Sequence, residues 1–187
     1  MLNILVVIGT RPEAIKLSPI VLELQKHSDK IYVEICITAQ HRSLLDDVLI
    51  NFNITSDHDL DLMSDNQTLE EISSKSLTGI SSILKQRSFD WILVQGDTST
   101  ALSASLSGFY NRVKVGHIEA GLRTYNKWEP YPEEINRQLI SKIADLHFAP
   151  TLNAKNNLSL EGVEEETIIV TGNTVVDSLA IASDSQP

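Results

Sequence analysis

Residues 2–8 have the sequence LNILVVI, and residues 9–16 have the sequence GTRPEAIK. The first stretch is a short, nearly continuous run of apolar side chains, which is typical of a strand buried on both faces of a parallel sheet. The second brings one glycine and two cations, Arg11 and Lys16, directly after that strand. A buried strand followed by a polar junction is the first unit of an α/β fold.

Further apolar runs follow at intervals along the chain. The predicted strands are Leu2–Ile8, Ile31–Thr38, Asp90–Gln95, Val113–Ile118, Leu146–Ala149 and Thr167–Thr171, with His58–Leu62 as a weaker seventh candidate. Longer stretches with helical periodicity separate them. This alternation predicts an α/β fold, a doubly wound, Rossmann-like parallel sheet built from right-handed βαβ units, with helices on both faces.

Three helical stripes support this interpretation. Their positions, apolar except for Ser76, are Leu17, Ile20, Val21 and Leu24; Leu69, Ile72, Ser76, Ile80, Ile83 and Leu84; and Ile135, Leu139 and Ile143. Ser18-Pro19 supplies a cap and a first-turn proline for the first helix. Thr68 and Glu71 have the spacing of a capping box for the second. The third follows Pro132.

Composition excludes several classes of function. The chain has 187 residues, enough for one domain, and a net charge of -10, which argues against nucleic acid and against anionic membranes as partners. A phosphorylated small molecule stays possible, because a few local cations suffice to bind it.

Leu2–Ile8 is too short to cross a bilayer and lacks the features of a signal peptide, so a cytoplasmic location is expected.

Cysteine and histidine give no sign of a metal or disulfide site. Cys36 is the only cysteine and lies inside a predicted strand, so we expect it to fill the core of a protein in a reducing compartment. The five histidines lack metal-binding spacing, which predicts that no metal is bound. His117 lies near a strand end, where it could reach a pocket or form a packed, hydrogen-bonded part of the core.

The strand-to-helix junctions carry the candidate chemistry, because ligands bind beyond the carboxyl ends of parallel strands. Polar groups follow six strands, at 9–16, 38–42, 95–100, 116–124, 150–151 and 171–174. The chain contains neither GxGxxG after its first strand nor a P-loop, so a bound dinucleotide cofactor is not expected. Arg11 and Lys16 instead suit a pyrophosphate or a polar sugar.

A further acidic pair, Glu133 and Glu134, follows Pro132 at a helix start. Acids in a first turn complement the helix dipole, and we assign Glu134 to that surface role. The role of Glu133 is left open at this point.

These junctions resemble the motifs of bacterial, non-hydrolysing UDP-N-acetylglucosamine 2-epimerases, in the order of that family and over nearly the whole chain. The motifs are GTRPEAIK (9–16), TAQHR (38–42), QGDTST (95–100), HIEAGLRT (117–124), PEEINR (132–137), HFAPT (147–151) and TGNTVVDSL (171–179). Each motif alone is modest evidence, whereas seven in order are specific.

The resemblance implies two Rossmann-like domains in a GT-B-like arrangement, with the active site between them. It implies interconversion of UDP-GlcNAc and UDP-ManNAc without a cofactor, by elimination of UDP to 2-acetamidoglucal and re-addition.

This chain would be the amino-terminal half, with 1–175 as the catalytic domain and 176–187 as the start of the linker. The second domain, which supplies most uridine contacts and a catalytic histidine, would be absent, so the chain alone would be inactive. A homodimer is implied for full-length members.

The resemblance also assigns residues. Asp97, Glu119 and Glu133 are the acid/base candidates, since the C2 proton must leave one face of the sugar and return to the other. Lys16 is placed with this catalytic set, and Lys16 and Arg11 would stabilise the departing diphosphate. Arg137 would bind substrate beside these carboxylates or form a structural ion pair.

A possible allosteric site for UDP-GlcNAc is implied at Gln40, His41 and Arg42. Ser43 follows them, where activated members are expected to carry glutamine, which puts this site in doubt.

Two other functions fit the same fold. The chain could be the acceptor-side domain of a GT-B glycosyltransferase. It could also be a non-catalytic module that binds a sugar nucleotide or a partner chain, and an exposed apolar face would support that alternative.

Overall fold

A computed structural model describes residues 1–38, 42–62 and 67–184, without the side chains of 42, 43 and 184. The possible allosteric residues Gln40 and His41 lie outside the described residues, as does the side chain of Arg42. In the described part of the chain, no helix is long and apolar enough to cross a membrane.

One sheet of seven parallel strands organises the part of the chain that the structure describes. The strands are β1 (Leu2–Ile8), β2 (Ile31–Ile37), β3 (His58–Asp59), β4 (Trp91–Gln95), β5 (Lys114–Ile118), β6 (Leu146–Ala149) and β7 (Ile168–Val170). Their order across the sheet is β3-β2-β1-β4-β5-β6-β7, and every pair is parallel. All six predicted strands and the weaker seventh are therefore confirmed, although β3 stops at Asp59.

Within the described residues, seven α-helices follow these strands in turn. They are α1 (Arg11–Lys26), α2 (Arg42–Asn51), α3 (Leu69–Gln86), α4 (Ser99–Tyr110), α5 (Glu133–Ile143), α6 (Leu152–Leu160) and α7 (Val175–Asp184). Since the strand order reverses direction after β3, right-handed crossovers place α1 and α2 on one face and α3 to α6 on the other. This is the doubly wound arrangement that the alternation predicts.

The central strand β1 is buried on both faces. Ile4, Val6 and Ile8 pack into the core under α1 and α2, whereas Leu5 and Val7 pack into the core under α3, α4 and α5. A strand with two buried faces has no position for a polar side chain where it is buried, which is why residues 4–8 are continuously apolar and the one polar residue of β1, Asn3, precedes them.

Helix α1 begins earlier than predicted. Its cap is Thr10, and Pro19 lies inside the helix, so the prediction that Ser18-Pro19 starts it is wrong. A proline has no N–H to give to the carbonyl four residues earlier, which here is Ile15. The hydroxyl of Ser178 in α7 donates to that carbonyl at 2.5 Å. The interior proline therefore provides an attachment point for α7.

The predicted apolar stripe of α5 is wrong at two of its three positions, since only Ile143 packs against the core. Ile135 and Leu139 are 37% and 47% exposed, while Glu134, Asn136 and Ser141 are buried with Ile140. The inward face of α5 is largely polar because it packs on the junctions after β4 and β5, where backbone groups need hydrogen-bond partners. The capping box of Thr68 and Glu71 on α3 is confirmed.

An apolar groove opens on the face of the sheet that carries α1. It has a volume of about 500 Å³ and runs beside β1, β4, β5 and β6. Its lining residues are Leu2, Ile4, Ile20, Leu24, Ile31, Trp91, Leu93, Ile118, Leu146, Phe148, Thr171 and Thr174. We call this feature the sheet groove.

Candidate active site

The carboxyl edge of the sheet brings the predicted residues together. Arg11 and Lys16 lie in α1 directly after β1, and Glu119 follows β5. Asp97 lies between β4 and α4, while Glu133 is the first residue of α5. The junctions meet because all strands run in one direction.

Glu119 is held by donors from three other parts of the chain. Its Oε2 lies 2.5 Å from Nζ of Lys16 and also accepts a hydrogen bond from the side-chain amide of Gln95. Its Oε1 accepts from Nδ2 of Asn173 at 2.8 Å. The carboxylate is thereby fixed at the centre of the edge.

The backbone of Glu119 is in the left-handed region, with φ of 63°. This conformation is uncommon for a residue with a side chain and persists where the surroundings impose it. The neighbouring turn contains Gly96, whose φ is 70° and whose N–H donates to the carbonyl of Ile118. The ends of β4 and β5 are thus bent together beside the carboxylates.

Asp97 lies in a mostly buried, acidic setting. Burial raises the pKa of Asp97, the charge of Arg137 opposes the rise, and the charges of Glu133 and Glu119 add to it. Nη2 of Arg137 lies 2.7 Å from Oδ2 of Asp97. A carboxyl group whose pKa is raised by burial and by like charges can hold a proton and return it, as acid/base chemistry requires.

Glu133 and Arg11 lie at the rim of this site. Glu133 is half-buried at the start of α5, close enough for its charge to act on Asp97. Arg11 is exposed in the first turn of α1. A cation at the positive end of a helix is placed to meet an anion that enters from solvent.

Arg137 forms the ion pair expected of it and a second contact. Its guanidinium bonds Asp97 and lies 3.7 Å from Oε2 of Glu134. Glu134 is fully buried, so the surface role assigned to it is wrong. Its carboxylate accepts from the backbone N–H groups of Thr124 and Tyr125 at 3.0 and 3.1 Å. Burial would raise the pKa of Glu134, but these bonds outweigh it and lower that pKa.

Neither His117 nor Cys36 contributes a reactive group. His117 is fully buried, its Nε2 lies 2.7 Å from the carbonyl of Gly96, and burial lowers its pKa to about 3. It is therefore a neutral, packed histidine. Cys36 is buried in the core, and burial raises the pKa of its thiol to about 12. Over the described residues, no group of three or more potential ligands could hold a metal ion.

Sequence reasoning missed several residues that organise the site. Asn136 donates to the carbonyl of Asp97 at 2.9 Å, and Gln95 and Asn173 bond Glu119. Glu13 is buried and bonds two junctions. Gln95, Asn136 and Asn173 lie within the quoted motifs, but nothing local indicated these contacts. Glu13 had a local signal, since Thr10 and Glu13 have the spacing of a capping box.

A family model described as UDP-N-acetylglucosamine 2-epimerase matches residues 22–186 of this chain. The chain belongs to the UDP-N-acetylglucosamine 2-epimerase family. The UDP-N-acetylglucosamine 2-epimerase of Neisseria meningitidis is 51% identical over 97% of the chain, which covers 48% of that protein. The chain thus spans about half the length of the curated relatives that it matches, as expected for an amino-terminal half.

Solved structures of this family share the fold. The UDP-GlcNAc 2-epimerase of Neisseria meningitidis, solved bound to UDP-GlcNAc, superposes with a TM-score of 0.95 at 50% identity, covering 98% of this chain and 49% of that one. The enzyme of Methanocaldococcus jannaschii, in complex with UDP-GlcNAc and UDP, gives 0.89 at 40% identity and covers 96% and 49%. The sheet and helices of this chain therefore match about half of each of these structures.

Proposed function

We propose that this chain is the carboxylate-bearing, amino-terminal half of a non-hydrolysing UDP-GlcNAc 2-epimerase that converts UDP-GlcNAc to UDP-ManNAc. The observation that carries the proposal is the meeting of Asp97 and Glu119 with Lys16 and Arg137 at one edge of the sheet. Family membership and two relatives solved with UDP-GlcNAc support this choice of substrate.

The reaction proceeds through two reversible steps. A carboxylate takes the C2 proton, the C2–H electrons form a C1=C2 double bond, and UDP leaves C1 with the electrons of the C1–O bond. The product is 2-acetamidoglucal. UDP then adds back at C1 while a carboxyl group delivers a proton to the opposite face of C2. Two differently placed carboxyl groups are needed, because one group can serve only one face.

The site residues divide this work by their environments. Asp97, whose pKa is raised by burial, is suited to hold a proton between the steps. Glu119, fixed by Lys16 and Asn173, is suited to act from a constant position. Glu133 completes the acidic set at the rim.

The cations stabilise the leaving group. Arg11 is exposed at the amino end of α1 and is placed to meet the diphosphate. Lys16 neutralises Glu119 in the structure and can shift toward the diphosphate as negative charge develops on it. Arg137 orients Asp97 through their ion pair and adds positive charge beside the sugar.

The catalytic domain in this proposal comprises residues 1–175, and the linker begins at 176–187. Only one wall of the cleft belongs to this half, so the isolated chain does not turn over UDP-GlcNAc. The buried single thiol of Cys36 suits the reducing cytoplasm, where we place the protein.

The full-length protein is proposed to be a homodimer. Ile135 and Leu139 project from α5, and Phe109 and Tyr110 are 63% exposed at the end of the neighbouring α4. Apolar side chains displayed by adjacent helices are suited to contact between copies.

A partner-binding module without activity is the second candidate, and the sheet groove favours it. The groove is about 500 Å³ in volume and almost wholly apolar, which would suit a helix of another chain. In that alternative the groove matters and the carboxylates do not.

The test uses a fusion of this chain to the second half of the Neisseria meningitidis relative. It is incubated with UDP-GlcNAc in D2O, and C2 is followed by NMR. An epimerase incorporates deuterium at C2 and forms UDP-ManNAc. Glycosyl transfer or binding alone gives neither, so a folded fusion without exchange at C2 would refute the proposal.

A further inference from the structure

Glu13 is a buried acid beside the candidate site that the proposed chemistry does not use. It is 2% exposed. Its Oε2 accepts from the backbone N–H groups of Gly9 and Thr10 at 2.5 and 2.7 Å, and its Oε1 accepts from the hydroxyl of Thr98 at 2.5 Å. Burying a carboxylate is costly unless it is hydrogen-bonded, and these donors offset part of that cost, although burial still raises the pKa of Glu13.

The bond to Thr98 leaves the helix that contains Glu13. Glu13 and Thr98 stand 85 positions apart. Thr98 follows Asp97 directly and caps α4, since its hydroxyl oxygen accepts from the N–H of Ala101 at 3.0 Å. One carboxylate therefore joins the junction that carries Arg11 and Lys16 to the turn that carries Asp97.

The two junctions are also in close contact. A β-carbon added to Gly9 would lie 2.7 Å from Cβ of Thr100, which is closer than real side chains approach. Little room exists for the turns to slide, and the Glu13 bonds set their register.

A second capping glutamate shows what a cap alone requires. Glu71 stands at the same position of α3 and accepts from the N–H of Thr68 at 3.1 Å. It is exposed, and its carboxylate bonds only its own helix among the described residues. Glu13 performs the same capping task and adds a bond to a different junction.

We propose that Glu13 is a positioning residue, which holds the cationic junction of α1 at a fixed distance from Asp97 through the hydroxyl of Thr98. The inference rests on the proposed function, because it gives the spacing of Asp97 from Arg11 and Lys16 a catalytic purpose. Displacement of a reacting group by about 1 Å can lower a rate by about 10², so such spacing matters.

The test follows the Asp97 carboxyl carbon by NMR through a pH titration of the ¹³C-labelled chain. Two variants delete the hydrogen bond between the Thr98 hydroxyl and the Glu13 carboxylate, which we call the link. Glu13→Ala removes the acceptor, and Thr98→Val removes the donor without removing charge. Glu71→Ala and Thr68→Val repeat the same losses at α3 as matched controls. Thr98→Ser keeps the hydroxyl and serves as the rescue.

Loss of the link loosens the turn and admits water to Asp97, whose pKa is raised mainly by burial. Glu13→Ala and Thr98→Val therefore move the Asp97 midpoint to lower pH by about 0.5 unit or more, a shift within the usual spread of protein carboxyl groups. Thr98→Ser and the two α3 controls leave it in place. If Glu13→Ala does not fold, Thr98→Val alone decides the question.

An unchanged Asp97 midpoint in Thr98→Val, with stability lowered as in Thr68→Val, would show that Glu13 and Thr98 are helix caps only. In the fusion enzyme, Glu13→Ala lowers kcat about tenfold or more and Glu71→Ala does not. The titration of the chain needs no activity, so a shifted midpoint in the chain together with no C2 exchange by the fusion would refute the epimerase proposal and leave intact the link from Glu13 to the turn of Asp97.

Discussion

Lys16 and Glu119 stand 103 positions apart in the sequence, and their side chains form an ion pair with 2.5 Å between Nζ and Oε2. The pair joins the start of α1 to the end of β5 across the carboxyl edge of the sheet. Lys16 therefore fixes the carboxylate of Glu119 in the site. We propose that it also stabilises the leaving diphosphate.

Replacement of Lys16 tests this double role. In the fusion enzyme, Lys16→Met leaves Glu119 without its cation and removes one of the two cations proposed for the diphosphate, so kcat falls by about 10² or more. Lys26→Met is the matched control, because Lys26 forms an exposed ion pair with Glu23. Steady-state kinetics measure both variants, and equal kcat values would contradict the assignment.

The three carboxylates are each needed for proton transfer. Asp97→Asn, Glu119→Gln and Glu133→Gln each lower turnover of the fusion by about 10² or more, the scale of general acid/base catalysis. Each removes a charge with little change of shape, so folding is retained. Glu70→Gln, in the first turn of α3, is the control. Wild-type turnover in all three variants would refute the carboxylate assignment.

Asp97 also makes stability depend on pH. Its folded pKa is raised above the ordinary value of 3.8. Between the unfolded and folded values the folded chain binds more protons, so this residue's contribution to stability falls as pH rises through that window. Asp97→Asn removes the free-energy cost of burying an ionised carboxylate and therefore raises the melting temperature at pH 7. This increase in melting temperature disappears at about pH 3, below the unfolded pKa.

Thermal unfolding at the two pH values measures this effect, with Asp29→Asn, at an exposed carboxylate, as the control. A lower melting temperature for Asp97→Asn at pH 7 would show that the ion pair with Arg137 outweighs burial.

The attachment of α7 to α1 is tested by a double-mutant cycle. Ser178→Ala removes the bond to the carbonyl of Ile15 and lowers the free energy of unfolding by about 1 kcal/mol. Pro19→Ala restores an N–H that can bond the same carbonyl. Ser178→Ala therefore lowers the free energy of unfolding by less in the Pro19→Ala protein than in the wild type. Urea unfolding of the four proteins gives the coupling, and identical costs in both backgrounds would contradict the account.

The sequence predicts the sheet and the location of the site for a physical reason. A strand such as β1 must be apolar over the residues that are buried on both faces, here 4–8, and parallel strands must present their carboxyl ends at one edge. Arg11, Asp97 and Glu119 could therefore be assigned to that edge from their positions after predicted strands.

The sequence does not predict which side chains meet at that edge. Glu119 bonds Asn173, 54 positions away, and nothing local to either residue indicates the partner. The rule that helices bury their apolar stripe fails for α5, since Asn136 and Glu134 face inward to bond the backbone of neighbouring junctions. Polar faces of this kind depend on tertiary contacts and not on local periodicity.

The central claim is that this half supplies the carboxylates for proton exchange at C2 and needs a second half to hold the nucleotide. The most direct measurement incubates the purified chain with UDP-GlcNAc in D2O and follows C2 by NMR, alone and with the separately made second half of the Neisseria meningitidis relative. The account predicts no exchange from either half alone and deuterium at C2, with UDP-ManNAc, from the mixture. Exchange by the isolated chain at the rate of a two-domain epimerase, or none from a mixture shown to associate, would contradict it.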